Sequence, residues 1–67
     1  MKIGDKVSWE TPQGRTHGRI VEKKTQDFQL AGQKFTASDN EPKFIVESDK
    51  TGARAAHAAS ALRILKG

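Results

Sequence analysis

The feature that most constrains the fold is a pair of segments with strand signals near the start of the chain, separated by a turn sequence. In "GDKVSWE", residues 4–10, apolar side chains alternate with polar ones, which is the pattern of a half-buried strand. "TPQG", residues 11–14, combines a proline that fixes φ with a glycine that tolerates unusual backbone angles. β-Branched residues are frequent in "THGRIVEKKTQ", residues 16–26. We therefore predict an antiparallel hairpin, with a bend or a close backbone contact at Gly18 in the second strand.

The middle of the chain contains further strand and turn signals. "KFIVES", residues 43–48, is predicted as a short apolar strand with Phe44 and Val46 on one face, and "DKTG", residues 49–52, as a hairpin loop. Between the segment at residues 16–26 and the strand at 43–48, "DFQLAGQKFTA", residues 27–37, is either a small hairpin or an ordered loop over one end of a barrel.

The last part of the chain leaves helix and strand open. "ARAAHAASALRIL", residues 53–65, contains six alanines, so helix propensity and apolar spacing favour a helix slightly. The start signal is poor, because the residue three positions after Thr51 is an arginine and no capping box forms. In the alternative, residues 53–57 pair back onto the preceding strand. Ser60 then caps one helical turn over 61–63, before a final stretch at 64–65.

Length and composition limit the classes of function. A chain of 67 residues forms a single domain, predicted to span residues 1–67, and its few large apolar side chains suffice for one core without a deep substrate cavity. The absence of cysteine excludes disulfides and zinc–thiolate sites and favours a cytoplasmic location. No apolar run is long enough to span a bilayer, and the first residues do not resemble a secretory signal. The large apolar residues are Val7, Trp9, Ile20, Val21, Phe28, Leu30, Phe35, Phe44, Ile45, Val46, Leu62, Ile64 and Leu65.

Catalytic and metal-binding patterns are weak. The sequence contains the residue types of a serine–histidine–aspartate triad in Ser48 or Ser60, His57 and Asp49. Nothing in the sequence places them at a strained turn or beside an oxyanion hole. The two histidines lack metal-ligand spacing, and no phosphate-binding glycine loop is present. We therefore predict no enzyme activity, no catalytic residue, no metal and no cofactor.

Three blocks of the sequence resemble one known family. They are "GDKVSWETPQGRTHGRIVEKKT" (4–25), "ASDNEPKFIVESDKTGARAAH" (37–57) and "ALRIL" (61–65). In these blocks the chain resembles the Tudor domain of hypervirulence-associated proteins, although it lacks the proline that this family commonly carries between the histidine and "AL". The resemblance implies an all-β, SH3-like barrel of about five antiparallel strands with one short helical turn near the C-terminus. It therefore favours the strand at residues 53–57, and it implies no particular reaction.

Two binding functions follow as hypotheses. The first is a non-enzymatic interaction module, predicted to be monomeric, with an unknown protein partner and no membrane or small-molecule ligand. The alternative is a sequence-nonspecific nucleic-acid binder, because the net charge is +4 and the sequence pI is about 9.8. An aromatic cage for methylated lysine is disfavoured, because the few rings are predicted core residues. The candidate phosphate-binding residues are Arg15, Arg19, Lys23, Lys24 and Arg54, with Trp9 as an aromatic platform.

Overall fold

The computed structural model describes residues 1–30 and 32–65, and its regular structure is almost entirely β. The all-β prediction is confirmed. In the described residues, no helical segment is long and apolar enough to cross a membrane. The elements are β1 (Lys6–Thr11), β2 (Gly14–Lys24), β3 (Phe28–Leu30), β4 (Gln33–Phe35), β5 (Lys43–Ser48), β6 (Arg54–Ala58), a 3₁₀ turn (Ala59–Ala61) and β7 (Arg63–Ile64).

Five of these strands form one antiparallel sheet in the order β6-β5-β2-β1-β7, and β3 pairs with β4 in a separate hairpin. The first three strands of the larger sheet in chain order, β1, β2 and β5, lie where the sequence pattern predicted them, β6 lies where the resemblance implied a strand, and β7 spans 63–64 instead of 64–65. The region for which hairpin and loop were both open is a hairpin, called the arm from here on (residues 28–30 and 32–35). Ala31, which belongs to the predicted segment, lies outside the described residues.

The larger sheet is curled around one core. Trp9 on β1 and His57 on β6 are separated by two intervening strands, yet their ring centroids lie 5.7 Å apart. In a flat sheet three strand spacings would separate them by about 14 Å. Leu62 and Ala55, which come from opposite ends of the strand order, also contact the same buried cluster. The strands therefore enclose the core as in a small barrel.

The alanine-rich segment is a strand, as the family resemblance implied. Arg54 to Ala58 pair antiparallel with β5, so pairing with an apolar neighbour overrides the helix propensity of alanine. The helical turn differs from its predicted position: it spans 59–61 instead of 61–63, and its N-cap is Ala58 without a side-chain cap. The turn ends earlier because Leu62, the residue that follows it, is buried in the core.

The core is smaller than the set of large apolar residues. Its buried cluster comprises Val7, Trp9, Ile20, Phe44, Val46 and Leu62. Phe44 and Val46 share this face as predicted, whereas Ile45 is buried outside the cluster. Ile64 and Leu65 are exposed, and Val21, Phe28, Leu30 and Phe35 are only half-buried. One compact core is therefore present, but the arm does not contribute to it.

Gly18 allows β2 and β5 to approach closely. A Cβ atom at this position would lie 1.9 Å from the carbonyl oxygen of Glu47, which no real side chain tolerates. Two residues further along, the register of β2 against β5 shifts between Ile20 and Glu22, as in a β-bulge. Together the glycine and the bulge let one long strand bend around the core.

Candidate functional site

An open cleft of about 730 Å³ lies between the two hairpin ends of the larger sheet. One wall is the β1–β2 connection and the first residues of β2, and the other is the β5–β6 connection and the first residues of β6. Trp9 lies at its base, and its polar lining includes Arg15, His17, Asp49, Lys50 and Arg54.

Local hydrogen bonds shape the β1–β2 wall. The Thr11 hydroxyl donates to the carbonyl of Gly14 at 2.7 Å and accepts the backbone N–H of Gln13 at 3.2 Å. Gly14 has a φ of 116°, which favours glycine. The predicted "TPQG" turn is thus fixed by its own residues.

The β5–β6 wall is fixed in a similar way. The hydroxyls of Ser48 and Thr51 accept the backbone N–H groups of Lys50 and Ala53 at 3.3 and 3.2 Å. Gly52, with a φ of 74°, donates its N–H to the Ser48 carbonyl at 2.8 Å. Both walls are therefore ordered by hydrogen bonds between hydroxyls and the backbone of the same turn.

The two walls are joined by His17 and Asp49. The backbone N–H of Asp49 donates to the carbonyl of His17 at 3.1 Å, and His17 Nδ1 lies 3.3 Å from Asp49 Oδ2. The two side chains are exposed, at 65% and 44%, so the pair is accessible to solvent. Asp49 is therefore bonded to His17 and not to His57, the histidine of the serine–histidine–aspartate arrangement considered from the sequence.

Trp9 and His57 lie on the core side of the cleft. Trp9 is 6% exposed and belongs to the buried cluster, and its ring is tilted by 39° against that of His57. Partial burial of His57 disfavours its charged form and lowers its pKa. Trp9 thus combines two positions: it is packed in the core and also borders the cleft.

The structure separates the five predicted phosphate-binding residues. Arg15 and Arg54 line the cleft together with Trp9. Arg19 is connected to Arg54 through Glu47, whose two carboxylate oxygens lie 3.8 and 3.3 Å from the two guanidinium groups. Arg15 is itself paired with Glu10 at 3.1 Å.

Lys23 and Lys24 lie at the other end of β2. They border a smaller hollow of about 260 Å³ beside the arm. Lys24 Nζ lies 2.6 Å from a carboxylate oxygen of Glu22 and 5.8 Å from the centroid of the Phe28 ring. The candidate set is therefore divided between two ends of the molecule.

Sequence reasoning missed Lys50 and His17 as residues of the cleft. Both are recognisable as turn or strand-end residues, but only the pairing of β2 with β5 brings their hairpins together. Within residues 1–30 and 32–65, no three histidine or carboxylate side chains form a group that could hold a metal ion.

Comparison with known proteins yields one match. No curated protein and no solved structure matches the chain. A family model described as "Hypervirulence associated proteins TUDOR domain" matches residues 4–62, which include the whole of the curled sheet up to the residue before β7. The chain therefore belongs to the Tudor domain family of hypervirulence-associated proteins.

Proposed function

We propose that this protein is a non-enzymatic interaction module that binds a protein partner at the cleft between its two hairpin ends. The observation that carries the proposal is the cleft itself, where the base is a buried tryptophan and the rim is polar and rich in cations. Small apolar floors with convergent polar groups are typical of ligand sites on preformed scaffolds. Domains of Tudor type are generally non-catalytic interaction modules, which agrees with this proposal.

The chemistry of the cleft supports binding over catalysis. The hydroxyls of Thr11, Ser48 and Thr51 are bonded to backbone groups of their own turns. The histidine in the cleft, His17, lies on open surface beside Asp49, without a nucleophile among its hydrogen-bond partners in the described chain. Nucleophilic catalysis needs a nucleophile and a base in mutual contact, and the side-chain hydrogen bond of His17 goes to Asp49 and not to a hydroxyl.

The cleft also differs from a site for a methylated lysine or arginine. Such a site surrounds a cation with several aromatic faces. Among the described residues that line this cleft, Trp9 is the one tryptophan, tyrosine or phenylalanine, and Arg15, Lys50 and Arg54 bring positive charge to the rim. Cationic ligands are therefore disfavoured. Arg15 and Arg54 are paired with Glu10 and Glu47, so Lys50, which has no carboxylate within 4 Å in the described residues, is the rim cation that favours a partner with carboxylates.

Nucleic-acid binding is the second candidate function. The observation in its favour is that Arg15 and Arg54 flank the same cleft as Trp9, so that phosphates and a stacked base would lie close together. Against it, Arg15, Arg19 and Arg54 are all within 4 Å of a carboxylate of their own chain, which reduces the potential available to a phosphate backbone.

A site-specific photocrosslinker tests the proposed function. It is placed at Thr51 on the rim and, as the matched control, at Gln29 on the arm. We expect crosslinking in a nuclease-treated lysate to give a defined protein adduct from Thr51 but not from Gln29. The adduct should be lost when Lys50 and Arg54 are both replaced by glutamate.

A salt titration separates the two candidate functions. If an untreated lysate instead gives an adduct from Thr51 that nuclease removes, binding should weaken steeply with salt, with a log–log slope of about −0.7 to −0.9 for each neutralised phosphate. That result would move the assignment to nucleic acid. Equal adducts from Thr51 and Gln29 would contradict binding at the cleft.

A further inference from the structure

The cleft continues into the open edge of the larger sheet. β6 is the last strand in the sheet order, and its first residues, Arg54 and Ala55, line the cleft. The opposite edge strand, β7, contains only two residues, whereas β6 contains five. The β6 edge is therefore the longer strand edge that the described part of the chain presents.

The backbone bonds of β5 show which groups of β6 face this edge. The N–H of Ser48 donates to Ala53 in the hairpin with β6, and the N–H of Asp49 donates to His17 on β2. Because bonding direction alternates along a strand, Val46 and Phe44 also face β6. Their partners are Ala55 and His57, so these two residues face β5.

The intervening residues of β6 therefore face outward. The N–H groups of Arg54, Ala56 and Ala58, and the carbonyls of Arg54 and Ala56, are directed away from β5. In residues 1–30 and 32–65, none of these N–H groups donates to another backbone group. Unpaired, evenly spaced groups of this kind are a template for an additional strand.

The edge lacks the features that usually block strand addition. β6, with the sequence "RAAHA", contains no proline, no lysine and no acidic residue. The side chains of Ala56 and Ala58 are small, so they offer no steric obstacle to a neighbouring backbone. The chemistry of this edge thus permits main-chain pairing with an extended segment.

Charge determines which segment fits. Arg54, Lys43 (opposite Ala58) and Lys50 lie along or beside this edge. Arg54 already lies 3.3 Å from Glu47, which is also 3.8 Å from Arg19, so Lys43 and Lys50 are the cations beside this edge without a carboxylate within 4 Å in the described residues. We infer that the β6 edge binds an extended acidic segment of the partner protein as an added β-strand, whose course leads into the cleft.

This inference rests on the proposed function but makes a separate structural claim. A second copy of the chain is a less suitable occupant, because each copy carries a net charge of +4. A nucleic-acid strand has no peptide backbone with which to complete the ladder. Main-chain pairing should therefore leave a signature that neither contact at the cleft nor phosphate binding produces.

Amide hydrogen exchange measured by NMR provides that signature. The probe is a pool of peptides of about ten residues, which at about 3.3 Å per residue exceeds the length of β6. Aspartate or glutamate occupies alternate positions, and a control pool carries lysine there. We expect the acidic pool to slow exchange at Arg54, Ala56 and Ala58 by about fivefold, the factor for a backbone hydrogen bond of ordinary net strength. Exchange at Ala55 and His57, which already face β5, should not change.

Two pairs of variants sharpen the test. Ala58 has a φ of −70°, which proline adopts without strain, so Ala58→Pro removes an outward N–H while Ala58→Ser keeps it. Ala56→Glu places a negative charge at the centre of the edge, and Ala56→Gln is its neutral control. We expect the proline and glutamate variants to reduce the peptide effect at the remaining outward amides, and both controls to preserve it. The exchange pattern of the unaltered protein decides the question even if a variant fails to fold.

Several outcomes would overturn the inference. These are exchange that stays unchanged at the three outward amides, equal slowing by the lysine pool, or slowing that grows with protein concentration in the absence of peptide. Slowing of outward and inward amides alike would indicate general stabilisation and would also overturn it. If the peptide changes the NMR chemical shifts of Trp9 and Thr16 alone, the β6 edge does not bind it. Binding at the cleft, and hence the proposed function, would then still hold.

Discussion

Two pairs of aromatic rings occur in the described part of the chain, in different settings. Trp9 and His57 are 5.7 Å apart and join distant strands of the curled sheet, whereas Phe28 and Phe35 are 5.3 Å apart and stack within the arm. The ring distances are nearly equal. However, Trp9 belongs to the buried cluster, and both phenylalanines are half-buried outside it.

The difference shows that the distance between two rings does not determine how much their contact contributes to the free energy of unfolding. Rings in the core stabilise the fold through the apolar area that the whole sheet removes from water. A stacked pair across a short isolated hairpin contributes only locally, because two-stranded hairpins are marginal in water. We therefore expect changes in the curled sheet to affect the free energy of unfolding far more than equivalent changes in the arm.

The largest difference should appear at two glycines. Gly18→Ala forces a methyl group against the Glu47 backbone and should cost about 4 kcal/mol or more, comparable to the entire stability of a domain of this size. Gly32→Ala in the arm meets no atom within 4 Å and should cost only about 1–2 kcal/mol, for its φ of 78°. Circular dichroism melting curves measure both. Similar losses would mean that β2 and β5 separate easily to admit the methyl group.

Truncation of one ring from each pair should give the next largest difference. Trp9→Ala removes a buried side chain and should lower the free energy of unfolding by about 3–5 kcal/mol. Phe35→Ala should lower it by about 1 kcal/mol, because its ring is half-exposed and stacks only on Phe28. Urea denaturation monitored by far-ultraviolet circular dichroism gives both values. If Phe35→Ala were as costly as Trp9→Ala, the arm would have to be part of the cooperative core.

Of the two ring pairs, only Trp9–His57 contains a group that titrates, so acidification should change the free energy of unfolding through His57 and not through the Phe28–Phe35 pair. Because burial lowers the pKa of His57 from 6.5, the unfolded chain binds the proton more readily than the folded chain does. The contribution of His57 to stability is therefore fully present above about pH 6.5. It is lost as the pH falls from there through the lowered pKa of the folded protein. The urea midpoint of the native protein should decrease over this window relative to that of His57→Gln, in which the dependence due to this residue is absent. A parallel decrease in both proteins would assign the effect to other groups.

The smallest effects should come from exposed ion pairs. Arg54→Gln removes the 3.3 Å contact with Glu47, and Lys24→Gln removes the contact with Glu22 beside the arm. Each should change the free energy of unfolding by about 0.5 kcal/mol or less, because solvent and salt screen exposed charges. Thermal melting at low and high salt checks this. A loss above about 1.5 kcal/mol at Arg54 would show that the Arg19–Glu47–Arg54 contacts act as a network.

Much of the curled sheet was predictable from local pattern. The alternation around Val7 and Trp9 predicted β1, and the turn chemistry of residues 11–14 and 49–52 predicted both hairpin ends that form the cleft. These signals are local, since one face of a strand must be apolar and a positive φ favours glycine. The candidate site was only partly predictable: Arg15, Arg54 and Trp9 border the cleft, but Lys23 and Lys24 lie elsewhere.

Residues 54–58 show where local pattern failed. Alanine favours a helix, but the segment forms a strand because it pairs with the backbone N–H and C=O groups of β5 and lies beside the apolar residues of that strand. The burial of Leu62 likewise placed the 3₁₀ turn two residues before the predicted position. Neither outcome depends on the residues of the segment alone.

The sequence by itself determined β1, β2 and β5, the turns, the absence of thiol chemistry and the positive charge, because each depends on single residues or on neighbours along the chain. Only the tertiary structure decided which hairpin ends face each other across the cleft, which cations are paired with carboxylates, and which N–H groups of β6 remain at the open edge. Those features depend on the register between strands that are distant in the chain, which curling and the close approach at Gly18 set together.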